Sequence, residues 1–593
     1  MPEPLDLADL VELPDVYNPV LDPAGERVAF YYDETGRVEL YVQELGDERE
    51  RLSEGNVPRN ARYPLAWSRD GERIYFHEDE GGDEQNDIHA MTLDGEREPV
   101  VVDDGQAVLE DVAPDGSLLF TTTAEGQKNL FRYEDGERTR LTDYDRPVWG
   151  AISGPDGRVA YVTNEAEDRT NRDVYVCERD GSDARKLDVG ETGGEAHPAD
   201  WTGDRLLVDD NSAGLGRAGV YDLGSGETTW YGPGEAEEQA VRLTDDGVLA
   251  LRNRECAVVP VRYDDPDGAG TEFALPEGVA SPAGHGTSRV TTADGRLLVA
   301  FGTDTDRRAV VAYDAATGDS EAVVAAEYGD VDPDRLADAE YVTFESHDGT
   351  EIDGLLYDSG ERPSPGIVSV HGGPHAQTLR RFAPFTQYLV SQGYSVFAPN
   401  YRGSTGRGRE FKNAIHGDWG GAEQGDVAEA GRWLADRDWV DADRVAVTGG
   451  SYGGYSAYWQ LTNYDLWAAG VAIVGITDLP ALYEESMPHF KSVLEQQLGD
   501  PEANADLYRE RSPITHADGV ADPLCMVHGV NDPRCPVSQA RRFRDALAER
   551  GLREGEDGDF EYHELGEEGH GSTDTDQRLR QYRILADFLD RRL

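Results

Sequence analysis

Lysine is nearly missing from this chain. Only Lys128, Lys186, Lys412 and Lys491 occur among 593 residues, and 55 basic side chains face 118 acidic ones, a net charge of −63. A surface of that sign repels nucleic acid and anionic membranes, so neither is expected as a partner. Cysteine is as scarce. Cys177, Cys256, Cys525 and Cys535 form no CxxC pair, which argues against a zinc knuckle or a disulfide framework; separate buried thiols are expected ahead of a Cys525–Cys535 bridge. No window approaches the ~18 uninterrupted apolar residues of a membrane span. The opening MPEPLDLADLVELPDV has no basic flank or apolar core, so a cytoplasmic location is expected rather than secretion. No metal or organic cofactor is suggested.

High charge with 38% hydrophobic residues points towards disorder, but that figure counts Tyr and omits Gly. With Gly counted and Tyr left out the apolar share is roughly 45%, ordinary for a folded protein. At about 150 residues per domain the length suggests two to four units. The acid excess and lack of lysine suggest adaptation to high salt, where repulsion between carboxylates is screened within about 3 Å at 1 M ionic strength.

A turn followed by a β-rich run recurs at DPAGERVAFYY, SRDGERIYF, APDGSLLFTT, GPDGRVAYVT, TGDRLLVDD, TDDGVLALR and TADGRLLVAFG. Their glycines (Gly25, Gly71, Gly116, Gly157, Gly203, Gly247, Gly295) are spaced by 46, 45, 41, 46, 44 and 48 residues. That is close to the ~40–45 residues of a four-stranded propeller blade. Asp-Gly supplies the positive φ of a tight hairpin turn. A seven-bladed β-propeller is therefore expected over residues 1–335, with its first residues, to about residue 20, able to pack on the C-terminal domain. A propeller alone is a binding or gating platform and names no function.

From residue 336 to 593 the pattern becomes strands alternating with helical stretches, as in a parallel α/β sheet. Strands are expected at 366–370, 394–397, 444–447, 471–474, 524–527 and 560–565, with a covering helix at 426–438. Gly449-Gly450-Ser451-Tyr452-Gly453 is a G-x-S-x-G between a strand and a helix, the context in which small neighbours leave a serine hydroxyl standing clear of a sharp turn. A serine nucleophile needs a base and an orienting acid, in the order Ser, Asp, His in an α/β-hydrolase. Asp532 follows the strand ending near His528, and His570 follows the strand 560–565, both at carboxyl ends where active sites of such sheets form. The rivals are weaker: His528 and His563 read as packed structural groups, Asp522 lies at the wrong strand end, Glu567 and Glu568 read as a solvated loop, and Asp426 and Asp443 as helix or turn residues. The oxyanion donors are expected to be the N–H of Tyr452 and one from His371-Gly372-Gly373-Pro374, Gly373 ahead of Gly372.

A seven-unit propeller followed by HGGP, NYRGSTGRG, GGSYGGY, HGVNDPRCP and GHG resembles the prolyl oligopeptidase family of serine peptidases, nearest its acylaminoacyl-peptidase and dipeptidyl-aminopeptidase-like branch. The resemblance implies the same triad, and places on Arg534 the arginine that holds a substrate carbonyl. It places the pocket for the side chain before the scissile bond near residues 478–497, with Phe490 the candidate lining residue. Short peptides are the implied substrates, with the propeller excluding folded proteins; a homo-oligomer is left open. Arg402, Arg407 and Arg409 read as structural. The competing readings are a carboxylesterase, which the same serine and HGG motifs would serve, and a non-catalytic propeller scaffold.

The charge divides unevenly. Residues 341–593 hold 24 basic and 41 acidic groups, a net of −17, against 31 and 77, a net of −46, for residues 1–340. Instability at low salt and a preference for positively charged peptides are expected from that imbalance.

Overall fold

The computed structural model describes residues 4–165 and 168–593. The repeats fold as hairpins because six of the seven turn glycines take a left-handed φ between 60° and 89°. Gly247 is the exception: no positive φ is used there, and the turn is closed by the Gly247 N–H donating to Thr244 Oγ1 at 3.0 Å.

Seven four-stranded antiparallel units result, with inner strands Val16–Leu21, Ala66–Trp67, Ala107–Val112, Val148–Ser153, Ala196–Thr202, Glu237–Leu243 and Val279–Pro282. Neighbouring blades share cores: Ile152, Val174 and Val176 of the fourth meet Trp201, Leu206 and Tyr221 of the fifth. Each such buried apolar side chain contributes about 1.5–3 kcal/mol. The ring closes without a shared strand. Val16, Leu21, Val28 and Phe30 of the first blade pack on Leu298, Val310, Ala312 and Val324 of the seventh.

The second region is one eight-stranded sheet: β1 (Glu340–Glu345), β2 (Glu351–Tyr357), β3 (Ser364–Val370), β4 (Ser395–Asn400), β5 (Val440–Gly450), β6 (Ala469–Ile473), β7 (Leu524–Gly529) and β8 (Phe560–Leu565). Their order is β1-β2-β4-β3-β5-β6-β7-β8, parallel from β4 to β8, with β1 and β2 antiparallel. Alternation sends Val368 and Val370 to one face and Ile367 to the other. On the second face Val471, Cys525 and Val527 meet Leu585, Phe588 and Leu589 of the last helix, Thr575–Arg592. The fold is a β-propeller followed by an α/β-hydrolase sheet.

Six strands are expected from the sequence and eight are present. The β1–β2 hairpin is hidden because β1 is an edge strand whose only buried side chain is Phe344. The covering helix spans Ala422–Ala435, starting earlier than residue 426 because Asp418 accepts the Ala422 N–H at 2.9 Å and Glu423 the Gly421 N–H at 3.0 Å. Asp443 belongs to β5, not to a helix or turn. No helix among the described residues is long and apolar enough to cross a membrane. All four cysteines are free and buried, so Cys525 and Cys535 are not bridged.

The first helix, Leu7–Val11, is capped by Asp6, which accepts the Ala8 N–H at 2.7 Å. It packs on the hydrolase rather than on the blades: Leu5 and Leu10 meet Phe382 and Tyr388, and Leu7 and Val11 meet Leu579 and Tyr582.

Candidate active site

Ser451 sits where β5 ends and the helix Tyr452–Asn463 begins, with φ 58° and ψ −117°. A non-glycine residue held there is strained, and its surroundings enforce it. The Ser451 N–H donates to the Ile473 carbonyl at 2.9 Å, and a methyl group on Gly449 would lie 2.5 Å from the Gly453 backbone. On Gly453 a methyl would collide with the Val370 carbonyl oxygen. The small residues of the motif thus admit the turn against β3.

The loop after β7 carries Asp532, and the loop after β8 carries His570. Asp532 Oδ2 lies 2.7 Å from His570 Nδ1. Its other oxygen accepts the N–H groups of Arg534 and Cys535, both at 2.9 Å. The carboxylate is buried and fully engaged, so the imidazole is held with Nδ1–H towards it and Nε2 without a hydrogen-bond partner among the described residues. The Cys535 thiol lies against the Ser451 hydroxyl, which links the elbow to the Asp532 loop; burial pushes that thiol well above its usual pKa.

The remaining candidates gather around this group. The Tyr452 N–H opens a helix and has no intrahelical acceptor. Gly373 adopts φ 128°, and a methyl on its neighbour Gly372 would lie 3.3 Å from Ser451 Cβ, so the HGGP turn runs beside the serine. His371 fixes that turn, stacking on Tyr401 with ring centroids 4.4 Å apart and placing Nε2 2.8 Å from Ser404 Oγ; burial lowers its pKa to about 4. The Arg534 guanidinium stands over the Phe490 ring, 5.5 Å from its centroid.

The rejected rivals have structural partners. His528 is fully buried, its Nε2 2.6 Å from the Cys535 carbonyl; His563 Nε2 lies 3.3 Å from Glu561. Asp426 pairs with Arg402 at 2.6 Å. Glu568 overturns the expectation of a solvated loop: it is buried and ion-paired at 2.8 Å with Arg59 of the propeller, while Glu567 beside it is exposed. Cys525, Glu561 and His563 bring three potential metal donors within 4.8 Å of one another, but Glu561 is already paired with Arg591 at 2.7 Å.

Three groups here carry no sequence signal. Glu84, on the second blade, receives Arg534 Nε at 2.8 Å and also pairs with Arg62. Glu423 accepts the Tyr452 hydroxyl at 2.9 Å behind the elbow, and burial raises its pKa to about 7. The hairpin tip of the second blade supports the loops carrying Asp532 and His570: the Gly81 carbonyl accepts Asn531 Nδ2 at 2.9 Å, and Gly82 abuts Gly569.

Residues 380–593 match the prolyl oligopeptidase family. Dipeptidyl aminopeptidase BIII of Pseudoxanthomonas mexicana is 36% identical over 217 residues, which is 36% of this chain but only 31% of that protein. An uncharacterized peptidase of Bacillus subtilis, YuxL, is 27% identical over 561 residues, covering 90% of this chain and 84% of that protein. In structure the chain is similar to a puromycin-hydrolyzing peptidase of Mycobacterium tuberculosis, with a TM-score of 0.84 and 22% identity over 100% of this chain and 96% of that one. The hydrolase part of the chain, residues 380–593, is thus similar to the prolyl oligopeptidase family.

Proposed function

We propose that this protein is a serine peptidase that hydrolyses short peptides through an acyl-enzyme on Ser451. The observation that carries the reading is the 2.7 Å contact from His570 Nδ1 to the buried Asp532, with Ser451 on a strained elbow beside the same loop. His570 Nε2 takes the Ser451 proton as Oγ attacks the peptide carbonyl carbon. The N–H groups of Tyr452 and Gly373 receive the developing oxyanion. The leaving amine departs with the proton from His570, and a water activated by the same nitrogen releases the acyl group. Asp532 keeps Nδ1 protonated and stabilises the imidazolium throughout.

Arg534 supplies a donor for a substrate carbonyl, and Phe490 lines the pocket beside it. The work is divided between a propeller over residues 1–335 and a catalytic domain over 336–593. The likeness to proteins described as acylaminoacyl peptidase and dipeptidyl aminopeptidase favours substrates released near a peptide's amino end. The acid excess and the four free thiols favour a reducing, high-salt cytoplasm.

The test is Ser451→Ala, assayed on a dipeptidyl anilide, an acetyl-amino-acid anilide and a p-nitrophenyl ester. We expect kcat to fall by about 10⁶ with folding intact, and fluorophosphonate labelling to be lost. A variant that keeps more than about a hundredth of the activity overturns the reading.

A further inference from the structure

One hairpin connection of the seventh blade is far longer than its counterparts. The link from the first to the second strand is two to five residues in the first six blades, but fourteen in the seventh, residues 283–296. These links lie at the end of the propeller away from the hydrolase, since the opposite turns are those that touch it, as Gly81 does at Asn531 and Gln127 at Ser492. The long link crosses the axis and is tied to three other blades. His285 Nε2 lies 3.0 Å from the Leu109 carbonyl, and the Thr287 N–H and hydroxyl both reach Asp111 at 3.0 Å. Arg69 donates to Thr287 Oγ1 at 3.1 Å, and Arg242 to the carbonyls of Gly286 and Ser288 at 2.7 and 2.8 Å. Asp111 is 2% exposed, so its bonds to the link are made away from water. Above the link lies an axial cavity of about 490 Å³, walled by inner strands at Gly150, Pro198, Gln239 and Ser281 and floored by Gly284, His285 and Gly286.

We propose that residues 284–289 are a built-in stopper on the far mouth of the propeller channel. Peptides then reach Ser451 only through the gap between the two domains, and the stopper keeps long chains from threading the axis. Fixed-length surface turns do not need fourteen residues or anchors on three partner blades, one of them the buried Asp111.

This inference rests on the peptidase reading for its substrate, so its test has an arm that does not. Ser281→Cys places the only exposed thiol in the channel, the four native cysteines being buried. Its labelling by a long maleimide-ended polyethylene glycol is compared in the native chain, in a variant with residues 283–296 replaced by the five-residue turn of the first blade, and in Thr287→Val. We expect labelling to rise about tenfold or more in the shortened chain and by less in Thr287→Val. Unchanged labelling in both, with melting curves showing both folded, overturns the stopper. In the hydrolysis arm the shortened chain should cleave peptides too long for the native enzyme, with the short anilide rate within about threefold. Faster labelling with an unchanged length limit overturns the role in substrate selection. Absence of hydrolysis by the native enzyme indicts the peptidase reading and leaves the labelling result standing.

Discussion

Arg534 and Glu84 meet across the domain boundary. Arg534 Nε donates to both carboxylate oxygens, at 2.8 and 3.0 Å, and its two Nη groups carry no hydrogen bond among the described residues. The propeller thus fixes the guanidinium's orientation through Nε and leaves its outer donors unbonded. Glu84 itself is buried and held by Arg62 and by Tyr63, whose hydroxyl donates at 3.2 Å.

From this geometry, Arg534→Met should cost peptide hydrolysis a charge-assisted hydrogen bond of about 1.5–3 kcal/mol, a roughly 10- to 150-fold loss in kcat/KM. The p-nitrophenyl ester, with no second carbonyl to hold, should lose far less. Glu84→Gln should show mainly as a raised KM for peptides, because it loosens the arginine without removing it. Equal losses on peptide and ester would contradict the assignment.

Replacing Asp532 with Asn should lower kcat by about 10⁴, because an amide at that position favours the wrong imidazole tautomer. Substrate KM should change little, and fluorophosphonate labelling of Ser451 should slow in parallel. A normal rate in a folded Asp532→Asn protein would remove the residue from the triad.

Gly453→Ala should be among the most damaging single-methyl changes in the chain. The added carbon meets the Val370 carbonyl, and overpacking of this kind costs about 1–3 kcal/mol. Activity should fall by more than the melting shift explains, since relief of the clash must move β3 or the elbow. Wild-type kcat with lowered stability alone would show that the turn tolerates displacement.

Stability should peak near neutrality. Burial lowers the pKa of His77, His375 and His489 to about 3 and of His89, His197 and His371 to about 4. The unfolded chain takes up protons below about 6.5 that these groups refuse, so stability falls with acidification through that window, by up to about 1.4 kcal/mol per pH unit for a fully buried ring such as His77. Asp209 and Glu423, raised by burial to about 8 and about 7, act in the other direction. The folded state keeps their protons while the unfolded chain gives them up above about 4, so their contribution is lost as pH rises. Urea midpoints at several pH values should therefore be highest at about pH 6–7. A steady rise from pH 5 to 8 would be inconsistent with these assignments.

Salt should matter more to the propeller than to the hydrolase. Lowering ionic strength from about 1 M to 0.01 M lengthens screening from about 3 to 30 Å, exposing the net −46 of residues 1–340 to its own repulsion. We expect a lower melting temperature at low salt and, among matched peptides, faster cleavage of positively charged ones. Equal rates for acidic and basic peptides at every salt concentration would leave only the effect on stability.

What the sequence makes legible is local. The turn glycines, the G-x-S-x-G elbow and the loops carrying Asp532 and His570 each lie within a few residues of the strand that positions them, so period and motif suffice. Glu84 contacts Arg534 from 450 positions away, and Arg59 buries Glu568 from 509 away. No spacing rule connects such pairs, which is why Glu568 reads as solvated when taken with its neighbours alone. The β1 edge strand escapes for a different reason: one buried side chain in six residues leaves no alternation to detect.

The helix Leu7–Val11 precedes all seven blades in the chain, yet its partners are the helices Pro384–Ser391 and Thr575–Arg592. Domains form in order as a chain is made, so seven blades can assemble while this helix waits with Leu7, Leu10 and Val11 uncovered. The propeller is in effect spliced into the catalytic domain, which can close only when the last eighteen-residue helix emerges. The hydrolase sheet is therefore closed only after the blades that precede it in the chain have been made.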